Sequence, residues 1–181
     1  LASNDVIIDM LQDLTQLEPL LTGPDGLLAG VTEPTLLVVS STVAPQDVRT
    51  LAARVGRETN GLLSVVDAPV SGGEAGAQSG TLSIMVGGDE DDVAQAIPVL
   101  QACGTPVHCG PLGAGEVVKA CNQMVVGITM AALAEAALIA AIGRVETNHA
   151  TYRGTVLAPD GSTTPTIIGI PLDGTNGTAR I

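Results

Sequence analysis

Lys119, Asn122 and Gln123 stand at i, i+3 and i+4 within GAGEVVKACNQ, Gly113 to Gln123, a spacing that places all three on one face of a helix. An amine taken out of water is a usable general acid/base, and neighbouring amides can orient a polar substrate. The bland alternative is a solvated first turn in which Lys119 pairs with Glu116. A second group lies in DAPVSGGEAGAQSG, Asp67 to Gly80. At Ser71-Gly72-Gly73 small residues let a ligand come close to backbone N–H groups, a nest suited to a carboxylate or phosphate at the carboxyl end of a parallel strand. From composition alone, a turn that needs glycine only for its φ angles is the favoured reading. The third group is SSTVAP, Ser40 to Pro45, with hydroxyls just past a strand; alone, it reads as a helix N-cap. Gly110-x-x-Gly113-x-Gly115 lacks the Gly-Lys-Ser/Thr of a phosphate-binding loop. His108 beside Cys109 has no metal-ligand spacing around it.

These groups need a frame. Asp5–Leu11, Thr35–Ser40, Gly61–Asp67, Thr81–Val86 and Pro106–Cys109 are apolar runs fit for buried strands. Between them lie helical patterns: Leu14, Leu17, Leu20 and Leu21; Val48, Leu51, Ala52 and Val55 after Pro45; and Asp89 to Ala102, whose acidic start complements the helix dipole. Continuous apolar strands alternating with helices predict an α/β fold with parallel strands covered on both faces.

Gly113–Gly143 differs in texture. Met124 to Ile142 carries a single charge, Glu135, and approaches the length of a membrane span. Its Ala-rich composition and the polar Asn122-Gln123 at its mouth favour a long helix buried between domains or subunits. Beyond Arg144, Thr151–Leu157, Thr166–Leu172 and Thr178–Ile181 read as short strands separated by Asp160-Gly161 and Asn176-Gly177, both hairpin signals.

The chain has 181 residues, with Lys plus Arg 7 against Asp plus Glu 19 and a net charge of −12. A field of that sign repels phosphate backbones, so no nucleic acid is expected as a partner. Three cysteines are not a disulfide framework, which points to a reducing, cytoplasmic setting.

Together the three groups resemble the β-hydroxyacid dehydrogenase family, which includes 3-hydroxyisobutyrate dehydrogenase and tartronate semialdehyde reductase. The resemblance runs from about Asp5 to Gly143, in family order. It implies a partial Rossmann-like parallel sheet over 1–112, a long apolar inter-domain helix over 113–143 and a short hairpin-like tail over 144–181. It also implies an NAD(P)-dependent oxidoreductase that transfers hydride between nicotinamide and a small 3-hydroxyacid or its semialdehyde. By that resemblance Lys119 is the general acid/base, and Ser71, Gly72, Gly73, Asn122 and Gln123 hold a small carboxylate substrate. Leu11, Gln12, Gln16 and Thr42 lie beside NAD or NADP.

There are departures. Gln12 stands where the family usually has Pro, and Gln123 where Asn is frequent. No strand–GxGxxG–helix unit precedes Asp5, and the tail does not resemble the family's C-terminal helical domain. The expectation is therefore the middle of such an enzyme, without membrane attachment and associating as a homo-oligomer. The alternative is a non-enzymatic association module derived from the family.

Overall fold

The computed structural model describes residues 5–147, 156–157 and 163–164. It divides into two units, Leu1–Val125 and Val126–Ile181. In the first, three strands, β1 (Val6–Asp9), β2 (Thr35–Val39) and β3 (Leu63–Asp67), run parallel and in order. They are joined by α1 (Leu14–Leu21), α2 (Leu27–Gly30) and α3 (Pro45–Glu58). After β3 come β4 (Val70–Ser71), α4 (Gly73–Ser79), β5 (Leu82–Gly87), α5 (Glu90–Leu100) and β6 (Gly104–Gly110).

Residue type explains the layers. Successive residues of β2 face opposite sides, and all four from Leu36 to Val39 are fully buried. Leu36 and Val38 pack with Val66, Ile84 and Val86 under Val93, Ala96 and Leu100 of α5. Leu37 and Val39 pack with Leu63 and Val65 under Leu17, Leu21, Val48, Leu51 and Val55 of α1 and α3. A sheet covered on both faces needs such continuous apolar strands. α1 is capped by Asp13, whose carboxylate accepts from the N–H groups of Thr15 and Gln16. α3 has Pro45 at its first turn and Ala44 as N-cap, with no side-chain cap. The hydroxyls of SSTVAP therefore do not cap that helix.

The sheet is parallel-dominated but not wholly parallel. Its order is β1-β2-β3-β5-β4, with β6 also on β5. β5 is antiparallel to β3, through the single pair Asp67↔Gly87, and to β4, while β6 is parallel to β5. The reason is length. A seven-residue α4 spans about 10 Å, too little to carry the chain back along a five-residue strand of about 17 Å. The chain therefore reverses between β4 and β5 instead of crossing over.

α6 (Ala114–Thr147) has 34 residues and runs past Gly143. Ala114–Ile142 is long and apolar enough to cross a bilayer by length and composition. Among residues 121–142 all are exposed except half-buried Asn122; Met124, Ile128, Met130 and Leu133 are each about two-thirds exposed. The burial expected between domains or subunits is not seen among the described residues. In the second unit β7 (Val156–Leu157) pairs antiparallel with β8 (Thr163–Thr164), on either side of Asp160-Gly161 in sequence. The expected strands 166–172 and 178–181 lie outside the described residues.

Gly115 marks how closely α6 meets the sheet: a β-carbon there would strike the Met85 carbonyl and crowd the Asp67 carboxylate. Gly115→Ala is expected to destabilise the fold by about 1–3 kcal/mol, read as a lowered urea midpoint.

Candidate active site

Asp67 ends β3 and is fully buried. Its carboxylate is aimed at the start of α6: Gly113 N–H donates to Oδ1 at 2.6 Å and Glu116 N–H to Oδ2 at 2.8 Å. A helix start leaves unpaired N–H groups and a partial positive charge, so an anion there is stabilised. This bond pair fixes the first turn of α6 against the end of β3.

One turn further along α6, Lys119 Nζ donates to the Val70 carbonyl at 2.7 Å and to Ser71 Oγ at 2.9 Å. Asn122 Nδ2 donates to the same Oγ at 3.1 Å and to Gln123 Oε1 at 3.3 Å. The structure therefore brings Lys119, Asn122 and Ser71 into one cluster. Because Ser71 Oγ accepts two bonds, its own proton is directed to a further acceptor. An ammonium has three donors, and two are used here, leaving one for a ligand. Lys119 is 9% exposed and is the only lysine in the chain. It does not pair with Glu116, the bland reading of this turn, because its donors go to β4.

Beyond Ser71, Gly72 and Gly73 take φ of 134° and 61°, values that only glycine adopts freely. Both are exposed. The strand that ends here is antiparallel to its neighbour, not the parallel strand expected, yet it still presents the Ser71 hydroxyl to α6.

The other predicted residues gather at the carboxyl ends of β1 and β2. Asp9 Oδ1 accepts from Leu11 N–H at 3.1 Å. The Ser41 hydroxyl lies within hydrogen-bond reach of Asp9 Oδ2 at 2.9 Å and the Leu11 carbonyl at 2.7 Å. These contacts hold the Leu11-Gln12 turn beside Ser41-Thr42. Gln16 Oε1 accepts from Gln12 N–H at 3.3 Å. Gln12, Gln16 and Thr42 are exposed and Leu11 half-buried, open to a ligand. That position, outside the carboxyl ends of adjacent parallel strands, is where open α/β sheets bind ligands.

Glu116 links the two halves. It is 1% exposed, and its Oε2 accepts from Val43 N–H at 3.2 Å. Its Oε1 has no partner. Burial drives the Glu116 carboxyl up to about 7; the Val43 bond opposes this, the Asp67 charge adds to it and Lys119 offsets it.

Sequence reasoning missed Asp9, Asp67 and Ser41, and considered Glu116 only as a partner for Lys119 in the alternative of a solvated turn. The available signal was an acidic residue closing an apolar strand, as in VIID and LSVVD. Nothing in the spacing distinguished Glu116 from a surface residue.

A parallel-dominated sheet with ligand-facing residues at the ends of adjoining strands defines the dinucleotide-binding class of α/β proteins. Residues 1–118 match the family described as the NAD binding domain of 6-phosphogluconate dehydrogenase, and the chain belongs to that family. It is 46% identical over 133 residues to 3-hydroxyisobutyrate dehydrogenase of Pseudomonas aeruginosa, covering 73% of this chain and 44% of that protein. Over 133 residues it is 44% identical to NAD-dependent L-serine dehydrogenase of the same organism, with the same coverage of 73% and 44%. Among solved structures it is similar to Mycobacterium tuberculosis 3-hydroxyisobutyrate dehydrogenase with L-serine: TM-score 0.69, 33% identity, 97% of this chain and 60% of that one. The chain thus spans less than half the length of the two Pseudomonas relatives.

Two tests follow from the buried carboxyls. Asp67→Ala strands two buried N–H groups, each worth about 1–3 kcal/mol, so chemical denaturation is expected to show a loss of at least about 2 kcal/mol. Glu116 titrates near 7 when folded against an ordinary value of 4.5. A raised carboxyl favours the folded state most below its unfolded value, and that contribution is lost as pH rises through the folded one. Wild type is therefore expected to lose stability between those two pH values, and Glu116→Gln to flatten the profile and melt about 2–4 °C higher at alkaline pH.

Proposed function

We propose that this chain is the substrate-anchoring and proton-transferring part of an NAD(P)-dependent oxidoreductase acting on a small 3-hydroxyacid or its semialdehyde. The observation that carries it is the Lys119–Ser71–Asn122 cluster, set on the same sheet as the Leu11 and Thr42 turns. Both Pseudomonas relatives are named for 3-hydroxy carboxylic acids, which supports the substrate class.

The Ser71 hydroxyl donates to the substrate carboxylate, and the exposed backbone at Gly72 and Gly73 adds N–H groups beside it. Asn122 and Gln123 orient the chain of the acid. Lys119, as the neutral amine, takes the proton of the 3-hydroxyl during oxidation; as the ammonium, it returns a proton to the carbonyl oxygen during reduction. The nicotinamide, when bound, supplies or accepts the hydride. Leu11, Gln12, Gln16 and Thr42 fit its nicotinamide end, being open and held at two adjoining strand ends. The sequence contains no GxGxxG to cradle the pyrophosphate, and the residues do not select between NAD and NADP.

The same reading has the protein act in the cytoplasm as a homo-oligomer that covers the exposed apolar side chains of α6, with no nucleic acid and no membrane as partner. That exposed helix also favours a second reading, a non-enzymatic association module. Lys119→Met separates the two. On the enzymatic reading turnover, measured in a chain extended to the length of its relatives, falls about 10²–10⁴-fold; on the other, association is unchanged and nothing else is lost.

Because Lys119 is the chain's only lysine, reductive methylation followed by peptide mapping reads one side chain. 3-Hydroxyisobutyrate is expected to protect it, and Ser71→Ala to weaken that protection about tenfold. Equal protection by an uncharged diol would contradict carboxylate anchoring. Titration with NADH and NADPH, followed by nicotinamide fluorescence against a background of one tyrosine and no tryptophan, measures the cofactor side directly.

A further inference from the structure

Glu116 has no part in the proton transfer above, yet it is among the most buried side chains in the chain. One oxygen takes the Val43 amide and the other has no partner. A buried acceptor without a donor costs about 1–3 kcal/mol and more when charged. Two charged side chains act on it. Asp67 of β3 repels it, and its own oxygens are already committed to the N–H groups of Gly113 and Glu116. Lys119, on its own helix, attracts it but spends its bonds on Val70 and Ser71. From α3, Arg49 is engaged through Nε with the Leu112 carbonyl at 2.9 Å. The Ser40–Pro45 turn offers only the backbone N–H of Val43.

We propose that Glu116 is a positioning residue: through the Val43 N–H its carboxyl couples the turn bearing Thr42 to the helix bearing Lys119. Neutral or charged, Oε2 accepts from Val43, and that bond favours the charged form, so the coupling does not depend on which form is present. What the coupling positions rests on the function proposed above; the coupling itself does not.

The test is amide hydrogen exchange in the full 181-residue chain. In wild type Val43 is expected to be protected, as are Val38 and Val66 in the core. Glu116→Gln should keep Val43 protected; Glu116→Ala should leave Val43 unprotected while Val38 and Val66 stay protected. Val43 protection that is the same in wild type and Glu116→Ala overturns the proposal. NADH titration then reads what is positioned: Glu116→Ala is expected to weaken binding about tenfold and Glu116→Gln to restore it. Unchanged NADH affinity in Glu116→Ala, with Val43 exchange altered, overturns the positioning role. Absence of NADH binding to wild type counts against the proposed function, and the coupling is then judged by exchange alone.

Discussion

Everything that could do chemistry in this chain depends on one carboxylate accepting two backbone amides. Asp67 closes the third strand, and the only donors it finds are the N–H groups of Gly113 and Glu116. Those bonds set both where α6 begins and how it is rotated. Rotation decides which residues of the helix face β4, and so whether the Lys119 amine reaches Ser71. Gly87 and Gly115 complete the joint by having no side chain: a β-carbon at either would meet Asp67 itself. The helix is thus seated on a charge and shimmed by two missing methyl groups.

The electrostatics around this joint run against those of the whole molecule. A chain of net charge −12 repels any anionic ligand, such as the proposed carboxylate, at long range. Attraction must be local and short, from one lysine and from neutral donors that cost no further charge. Ser71, Asn122 and the glycine backbone supply such donors. Their number matters more here than it would on a neutral protein, because screening at physiological salt removes only the part of the field beyond about 8 Å.

The sequence carried the strands and most helices because burial on both faces leaves uninterrupted apolar runs, as in LLVV of β2. It also carried the cluster on α6, since i, i+3 and i+4 spacing has one geometric meaning. The reversal at β5 was not legible: it depends on the length of α4 against that of the strands, and SGGEAGAQS carries no strong signal of either. The hydroxyls of SSTVAP misled for a related reason. Ser41 is drawn away from the helix start by Asp9, a partner 32 residues earlier. The burial of Glu116 was not legible: side-chain type argues for exposure, whereas its burial is set by the neighbours that α6 acquires only in the folded chain. For α6 beyond Cys121, apolar composition argued for burial that is not seen among the described residues.

The contacts that build the cluster have one more property in common. They join residues 46 to 51 positions apart: Asp67 to Gly113 and Glu116, Val70 and Ser71 to Lys119, Ser71 to Asn122. The Val43–Glu116 bond spans 73. Each closes a long loop, whose entropy is recovered only once the intervening strands are in place. During synthesis β1 to β6 and the helices between them therefore emerge with Asp67 at a strand end and no partner for it. The emergence of Gly113–Asn122 both completes the site and discharges that penalty. Assembly of the cluster is a late event in folding, gated by the delivery of a single helix turn.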